Sequence, residues 1–399
     1  MSDHVAESDV AGPRDPGVRG SNQSGMRMHN ERLVLTLVRE HRALSKSEIA
    51  RITGLSAQTV SVIMRRLEDE GLLLRGEPIR GKVGQPSVPM RLNADGAYFL
   101  GLKVGRRSMD LVLGDFLGNI LGRAGKTYPY PTPDQTLRFA DESLGALVGR
   151  LPQQKRDRIA GLGIAMPFYL WNWAQTLGVP QEEMDAWRTT NLQADLAASL
   201  HMPVFMQNDG TAACGAELVF GPSGGPRDFL YFYVGYFIGG GVVLNGGIFS
   251  GHGNAGALGP LPVPDSDGAV RPLIDVASLY LLERSVNGAG FDASSMWETA
   301  DGWRIPDDLT QAWIDKAALG IAHAIVTACS IIDFECIKID GWLPEPVRQQ
   351  LIDRTKSSLA QINTTGLERP RIEAGNVGPD ARALGATSLP LSEKYLIET

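Results

Sequence analysis

The chain has 399 residues, of which 43% are hydrophobic and 21% charged, and its formal net charge at pH 7 is −7. Such a chain is too long for one small domain, and its composition is ordinary for a globular protein. Three cysteines are too few for a disulfide framework or a cysteine-rich zinc site. No signal peptide and no apolar run near the ~20 residues that span a bilayer are evident, so we expect a cytoplasmic protein without a membrane partner.

The charge is divided unevenly along the chain. Residues 26–92 contain twelve Lys and Arg against seven Asp and Glu, a net charge of +5, so the remainder carries −12. A basic head on an acidic body is the asymmetry expected when only one domain contacts phosphates. Residues 1–25 are polar and rich in Gly, Ser and Asp. They have almost nothing to bury, so we predict a disordered tail.

Residues 26–92 have the pattern of a winged helix-turn-helix. A capping box opens the second helix, because Ser45 can accept from the backbone N–H of Glu48 while Glu48 reaches back to that of Ser45. We expect Ile49 and Ile52 to face the core of this small domain. The other predicted helices run over about 30–39 and 57–69.

The third helix carries the clearest periodicity. Ser56 caps it, Gly71 ends it, and its apolar residues recur at i, i+3, i+4 and i+7 to form one stripe: Val60, Ile63, Met64 and Leu67. Residues 72–74 and 88–92 are predicted to be the two strands of the wing, with a basic, glycine-containing tip between them.

This motif predicts contact with duplex DNA. The third helix of the head is the second helix of the helix-turn-helix, and its first turn enters the major groove. Short polar side chains suit base edges and guanidinium or ammonium groups suit phosphates. The predicted DNA-binding residues are Ser45, Ser56, Gln58, Thr59, Ser61, Arg65, Arg66, Arg80 and Lys82. The alternative is a small protein-interaction module whose charges only solvate its surface. We favour DNA because cap, turn, stripe and wing agree in order and spacing.

From Tyr98 onward the pattern changes to α/β, with apolar strand-like runs alternating with helical stretches. The predicted strands are 99–104, 109–113, 159–165, 204–207, 229–234 and 336–339, and the predicted helices are about 134–150, 211–219, 309–332 and 345–359. Glycine is dense between Gly235 and Gly259. Within that segment Asn245-Gly246 is typical of a type I′ hairpin turn. Gly239–Gly241 are equally compatible with a strand and with a phosphate-binding loop.

Asn208 and Asp209 follow a predicted strand and precede a predicted helix. A carboxylate at the carboxyl end of a strand in an α/β fold lies where ligands usually bind. Asp209 can therefore hold a sugar hydroxyl or act as a general base toward one. It can equally be a simple cap of the helix that follows. The motif alone does not separate these two interpretations.

These segments in this order resemble the ROK family (repressors, uncharacterised reading frames and sugar kinases), and more closely its repressor branch. Besides the head, the resemblance is carried by residues 161–167, 208–217, 239–251, 255–259 and 383–388. It implies a two-lobed body of actin-like, sugar-kinase-like α/β fold. The implied domains are residues 93–205 as lobe 1, to which residues 380–399 return, and residues 206–379 as lobe 2.

The phosphate-binding segments depart from the family pattern. Family kinases carry an Asp-x-Gly-Gly-Thr-type loop, where this chain has Lys103 in place of the Asp and Arg107 in place of the Thr. A second segment, Gly-Thr-Gly in kinases, is Gly235-Tyr236-Phe237 here. Because kinases depend on positioning Mg²⁺ and the γ-phosphate, we expect no phosphotransfer, no catalytic residue and no cofactor.

The sugar-binding positions that the resemblance implies are also altered. The usual Glu and His are Ala257 and Pro260, and a further Glu aligns with Ile274. Residues 261–276 contain no cysteine, so the family's zinc loop is not expected. The predicted ligand-binding residues are Asn208, Asp209, Gly256, His252 and Asn254, and Arg271 and Asp275 are further candidates to replace the missing groups.

Together these observations predict a sequence-specific transcriptional regulator, a repressor of carbohydrate-related genes. Its partners are expected to be an operator in double-stranded DNA and a sugar-like effector in the cleft between the lobes. The assembly is expected to be a homodimer or homotetramer. Two alternatives stay open: an ATP-dependent sugar kinase with an appended DNA-binding domain, and a ligand-blind regulator whose body only dimerises.

Overall fold

The computed structural model describes residues 23–78, 87–265 and 267–397. Residues 1–22 of the predicted tail lie outside these ranges. So does the predicted wing tip, with Arg80 and Lys82.

The head is built from three helices and a two-stranded antiparallel wing. Both halves of the predicted capping box are present: Glu48 N donates to Ser45 Oγ at 3.3 Å, and Ser45 N donates to Glu48 Oε2 at 2.8 Å. Gly71 ends the third helix with φ +75°, a left-handed conformation that favours glycine. The elements are α1 (Gln23–His41), α2 (Lys46–Thr53), α3 (Ala57–Asp69), β1 (Leu73–Arg75) and β2 (Met90–Leu92).

Two details of the head differ from the sequence prediction. Helix α1 begins at Gln23, about two turns before the predicted start, so residues 23–25 of the predicted tail are helical. Ile52 is 41% exposed, whereas Ile49 is fully buried. The two residues lie about 60° apart around an ideal helix. Ile52 therefore lies outside the buried stripe of α2 to which Ile49 belongs.

The first half of the body folds around a sheet with the order β5-β4-β3-β6-β7. Strands β3, β4 and β5 are antiparallel, while β6 and β7 run parallel to β3. The elements are β3 (Tyr98–Val104), β4 (Ser108–Asp115), β5 (Ile120–Thr127), α4 (Pro133–Gly149), α5 (Gln153–Arg156), β6 (Ile159–Ala165), α6 (Ala174–Leu177), α7 (Gln181–Thr189), α8 (Leu192–Leu200) and β7 (Val204–Gln207).

The second half repeats this topology, with the order β10-β9-β8-β13-β14. Strands β8, β9 and β10 are antiparallel, and β13 and β14 run parallel to β8. The elements are α9 (Asp209–Phe220), β8 (Phe229–Val234), β9 (Ile238–Leu244), β10 (Gly247–Ile248), β11 (Pro262–Pro264), β12 (Val270–Pro272), α10 (Ile274–Ala277), α11 (Leu279–Gly288), α12 (Ser295–Glu298), α13 (Asp307–Cys329), β13 (Cys336–Gly341), α14 (Glu345–Gln361), β14 (Arg371–Ala374) and α15 (Ala381–Tyr395).

The glycine-rich segment is a strand and a hairpin. Gly239–Gly241 lie in β9, and Asn245 and Gly246 join β9 to β10 with positive φ at both residues, as a type I′ turn requires. A Cβ on Gly241 would lie 2.5 Å from the Cβ of Cys214 on α9. Glycine is needed there because helix and strand approach so closely.

Helix α15 packs on α9, β3 and β6 through residues without bulky side chains. A Cβ on Gly163 would lie 1.8 Å from the carbonyl oxygen of Ala386, and one on Gly385 would lie 2.0 Å from that of Ala212. The closing residues of the chain therefore form a helix seated against the first sheet.

The head shares a hydrophobic core with the body. Val34 and Val38 of α1 belong to one buried cluster with Phe99, Phe116 and Leu391 of the body. Polar contacts reinforce it: Arg39 Nη2 donates to the Phe116 carbonyl at 2.6 Å, and the Ile397 amide donates to Thr36 Oγ1 at 3.1 Å. The head is therefore packed on the body rather than tethered to it.

Helix α13 is the one helix among the described residues that is long and apolar enough to cross a membrane by length and composition. Half of its most apolar window is buried inside the protein. Its buried side chains, including Trp313, Ile314 and Ile321, belong to the core of the second half of the body. Burial of this kind is typical of a core helix in a globular domain.

Candidate DNA interface and effector cavity

Helix α3 presents a polar face to solvent. Gln58 and Arg65 are exposed on it. Thr59 is half-buried, and its Oγ1 lies 2.8 Å from the Oγ of Ser56, the residue that caps the helix. Ser61 Oγ accepts from Lys46 Nζ at 3.1 Å. The first turn of α3 is thus stabilised by its own cap, and Gln58 and Arg65 are the most available of the predicted contacts.

Other predicted DNA-binding side chains are engaged within the head. Ser45 is only 4% exposed, and its hydroxyl caps α2. Arg66 forms ion pairs with Glu31 at 3.2 Å and with Glu70 at 2.8 Å. Its guanidinium group is therefore shared between two carboxylates, in contrast to that of its neighbour Arg65. Lys46 was not among the predicted residues, although its contact with Ser61 brings it to the same face.

A cavity of about 250 Å³ lies between the two halves of the body. Asn208 and Asp209 line it where β7 ends and α9 begins. Asn208 Oδ1 accepts from the Gly210 amide at 3.0 Å and caps α9. For Asn208 the capping role and a place in the cavity wall therefore coexist.

Asp209 is paired with an arginine distant in sequence. Arg382 Nη1, on α15, donates to Asp209 Oδ2 at 3.1 Å, and the Arg382 guanidinium lies 4.8 Å from the centroid of the Tyr233 ring. Both Tyr233 and Arg382 line the cavity. The negative charge of Asp209 is thus balanced locally before any ligand is considered.

The end of β3 and the residues that follow it form a basic cluster. Lys103 is buried and donates to Ser108 Oγ at 2.7 Å and to Asp110 Oδ2 at 2.9 Å. Burial lowers the pKa of Lys103 below its ordinary value, and Asp110 opposes that shift. Arg107 pairs with Glu283 and lies 5.5 Å from the ring of Trp297.

Arg106 behaves differently from its neighbours. It lines the cavity and lies 5.3 Å from the centroid of the Tyr236 ring. Its Nη1 donates to the carbonyl oxygen of Pro129. Among the described residues no carboxylate lies within ion-pair distance of it, and burial lowers its pKa.

Aromatic side chains from both halves of the body form much of the cavity wall. Trp173, which follows β6, packs edge-on against Phe237 with 4.9 Å between ring centroids, and Phe237 packs in the same way on Tyr236. Tyr169 adopts a left-handed φ of +60°, rare for a side chain of this size. The remaining aromatic lining residues are Phe168 and Tyr233.

The three altered sugar-binding positions that the resemblance implied lie around the cavity. Ala257, Pro260 and Ile274 all line the cavity, and so does Asn254. His252 is exposed and is not a lining residue.

Three further candidates stand away from the lining. Gly256 has φ +82°, and a Cβ there would lie 2.6 Å from the Cα of Gly241, so its role is close packing. Arg271 pairs with Asp265 at 2.7 Å and Asp267 at 2.8 Å. Asp275 accepts from the Tyr280 hydroxyl at 2.6 Å. None of these three residues belongs to the described lining.

Sequence reasoning missed several lining residues. Phe168, Tyr169 and Trp173 follow a predicted strand, and this concentration of aromatic residues was a usable signal. Arg382 gave no such signal, since it is 173 residues from Asp209. Within the described part of the chain, no group of three or more His, Cys, Asp or Glu is arranged to hold a metal ion.

Both the head and the body of the chain match known protein families. The ROK family matches residues 99–393, and a family described as winged helix-turn-helix DNA-binding matches residues 29–73. A xylose repressor of Caldicellulosiruptor bescii is 23% identical over 291 residues, which cover 70% of this chain and 72% of that protein.

Two solved structures share the fold. A ROK family transcriptional regulator, described as a homolog of the E. coli MLC protein, aligns over 93% of this chain and 97% of its own, with a TM-score of 0.63 and 20% identity. A ROK family glucokinase from Streptomyces griseus, in complex with glucose and AMPPNP, aligns over 73% of this chain and 99% of its own, with a TM-score of 0.56 and 19% identity. The chain belongs to the ROK family, in the arrangement of its transcriptional regulators, with a winged helix-turn-helix ahead of the ROK body.

Proposed function

We propose that this protein is a cytoplasmic, sequence-specific repressor of carbohydrate-related genes, controlled by a sugar or sugar-derived molecule in the cavity between the lobes. The observation that carries the proposal is the outward face of α3. Gln58 and Arg65 are exposed there, on a helix whose opposite face is buried in a core shared with the body. Because α3 is held in this way, a conformational change of the body would also change the position of this base-reading helix.

The DNA-binding half of the proposal assigns distinct roles along α3. Gln58, Thr59 and Ser61 read base edges, Arg65 contacts phosphate, and Arg80 and Lys82 of the wing contact the backbone of the duplex. Ser45, Ser56 and Arg66 are proposed to shape the head rather than to contact DNA, because the two hydroxyls cap helices by accepting from backbone amides and the guanidinium is ion-paired. The hydroxyls of Thr59 and Ser61, in contrast, are hydrogen-bonded among the described residues only to the side chains of Ser56 and Lys46, which DNA can replace as partners.

The control half of the proposal uses helix α15. Arg382, near its start, lines the cavity, and Leu391, near its end, belongs to the core shared with the head. The helix rises about 1.5 Å per residue, so the distance covered is about 14 Å. A ligand that displaces Arg382 would shift α15 and the head together. A coupling free energy of about 1–3 kcal/mol is enough for regulation.

Operator recognition is proposed to need two heads. A homodimer, or a tetramer built from dimers, would place two α3 helices on half-sites about one helical turn apart or a multiple of that spacing. Sequence-specific recognition is tested by fluorescence anisotropy, which compares binding to an operator duplex with binding to a scrambled duplex of the same length. Equal affinity for both duplexes would contradict the proposal.

Phosphotransfer is not part of the proposed function. Lys103 and Arg107, at the expected phosphate-loop positions, are tied to Asp110 and Glu283, and Asp209 is paired with Arg382. A coupled ATPase assay with a panel of hexoses tests the kinase alternative. Turnover in the usual range of about 1–100 s⁻¹ would overturn the assignment. A ligand-blind regulator would instead show no thermal shift with any small molecule while still binding its operator.

A further inference from the structure

Buried polar atoms that lack a hydrogen-bond partner concentrate among the residues that line the cavity. Among the described residues, five buried side-chain nitrogen or oxygen atoms make no hydrogen bond with the protein, and three of the five belong to cavity-lining residues. These are Arg106 Nε, Arg382 Nε and Asn254 Oδ1. Buried polar groups are as a rule hydrogen-bonded. Such a cluster therefore marks a place where a ligand supplies the missing partners.

The charge of the lining favours an anion. The charged residues among those described as lining the cavity are Arg106, Arg382 and Asp209. The carboxylate of Asp209 is already paired with Arg382 at 3.1 Å, so Arg106 is the charged lining residue that has no carboxylate within ion-pair distance in the described part of the chain. Guanidinium groups bind carboxylates through two parallel hydrogen bonds. The lining thus carries one net positive charge, which matches a ligand with one negative charge better than a ligand with two.

The remaining walls favour a flat or ring-shaped body. Trp173, Tyr236 and Phe237 supply ring faces and edges, and Ala257, Pro260 and Ile274 are apolar. The cavity volume of about 250 Å³ is below the ~300–1,000 Å³ of pockets that hold drug-sized ligands. One six-membered ring with a short substituent is the scale that fits.

We propose that the cavity binds a monocarboxylate carried on a single six-membered ring, with its carboxylate on Arg106 and its ring against Tyr236 and Phe237. This inference rests on the proposed regulatory function, for which it names the chemical class of the effector. Such a ring acid can be an aromatic acid or a sugar acid. The two share the charge and the ring face and differ in their hydroxyl groups.

Calorimetric titration of the full-length protein with two matched pairs tests the proposal: benzoate against benzamide, and D-glucuronate against D-glucose. In at least one pair the carboxylate should bind at least tenfold more tightly than its neutral partner and raise the melting temperature. Its affinity should fall as salt is added. The pair that responds identifies the ring as aromatic or as a sugar.

Variants separate charge from shape. Arg106→Gln should weaken the carboxylate about tenfold or more, while leaving the neutral partner unchanged, because a hydrogen bond to a charged group is lost. Tyr236→Leu should weaken both members of a pair alike, since it removes ring contact and no charge. Arg354→Gln is the matched control: Arg354 is exposed, and its pair with Asp315 lies on α13 and α14, outside the lining.

Neutral partners that bind as tightly as the carboxylates would overturn the proposal. So would silence of all four probes at millimolar concentration, or an Arg106→Gln protein that keeps full carboxylate affinity. The wild-type comparison within each pair does not depend on how any variant folds. Operator binding is measured in parallel. Operator binding without carboxylate binding refutes the effector class alone, whereas carboxylate binding without operator binding refutes the proposed function alone.

Discussion

Adjacent residues of α3 illustrate how local surroundings divide similar side chains between roles. Arg65 and Arg66 are chemically identical, yet Arg66 bridges Glu31 and Glu70 while Arg65 is exposed. Gln58, in the first turn of the helix, is exposed as well. Affinity and sequence preference are therefore expected to depend on different side chains of one helix.

We expect Gln58→Ala to relax preference at one operator position by about 1–3 kcal/mol, because only a base contact is removed. Arg65→Ala should instead weaken operator and random DNA alike and reduce the slope of log affinity against log salt by about one unit. Arg66→Ala serves as the comparison and should change DNA affinity less. Anisotropy titrations at several salt concentrations distinguish the three. Unchanged sequence preference in Gln58→Ala would exclude its base-reading role.

Removal of the cap on α2 should affect stability and not recognition. Ser45→Ala is expected to lower the free energy of unfolding by about 1 kcal/mol. Hydrogen bonds from the Ser45 side chain and amide lower the pKa of Glu48. This carboxylate therefore stabilises the head above its unfolded pKa, and the contribution is lost as the pH falls through the folded pKa. Denaturation curves at neutral and acid pH should show the variant's deficit shrinking in acid. A deficit that is the same at both pH values would contradict this account.

At the scale of elements, α15 is the structure that both the cavity and the head contact. Its first turn carries Arg382, its middle packs closely on β3, β6 and α9, and its end carries Tyr395. The Tyr395 ring lies edge-on to Phe116 at 5.1 Å and to Phe99 at 5.9 Å. Because one helix contacts both regions, we expect a displacement of its first turn to be transmitted to its end.

Tyr395→Leu is expected to reduce the change in operator affinity that a cavity ligand causes, while leaving the affinity for the ligand itself unaltered. The substitution loosens the packing of α15 in the core that the head and the body share, and Tyr395 is not a cavity-lining residue. Glu393→Ala, an exposed change on the same helix, should leave the coupling intact. Operator titrations with and without saturating benzoate or D-glucuronate, whichever binds, measure the coupling. Equal coupling in both variants would show that the signal does not pass through Tyr395.

At the scale of the whole molecule, head and body form one packed unit. The shared cluster joins Leu67 and Leu73 of the head to Phe99, Phe116 and Leu396 of the body. Each fully buried aliphatic or aromatic side chain stabilises the fold by about 1.5–3 kcal/mol relative to exposure. The head is thus expected to contribute to the stability of the body.

Deletion of residues 1–92 should abolish operator affinity and also lower the melting temperature of the remaining body, because Phe99, Phe116 and Leu391 become exposed. Thermal unfolding monitored by circular dichroism, alongside anisotropy with operator DNA, tests both effects. A separable head would give the first effect without the second. Full operator affinity in the truncated protein would contradict the assignment of DNA binding to the head.

Much of the fold could be predicted from the sequence, because it depends on interactions between residues that are close together in the chain. The capping box at Ser45, the stripe of α3 and the turn at Asn245-Gly246 depend on neighbours within a few residues, and all three predictions are confirmed. Strands β6, β7 and β8 begin and end where their apolar runs predicted. The sequence also determined the family, because several motifs occur in a fixed order.

Only the tertiary structure decided which distant residues meet. Arg382 pairs with Asp209, and Trp173 of the first half of the body packs on Phe237 of the second. Helix α15 contributes to the core that the body shares with the head. His252 and Asp275, although near the motifs in sequence, stand away from the cavity. Periodicity reports which face of an element is buried, but not what covers it. The element that covers a buried face is determined by the topology of the two sheets and by α15, which packs back on them.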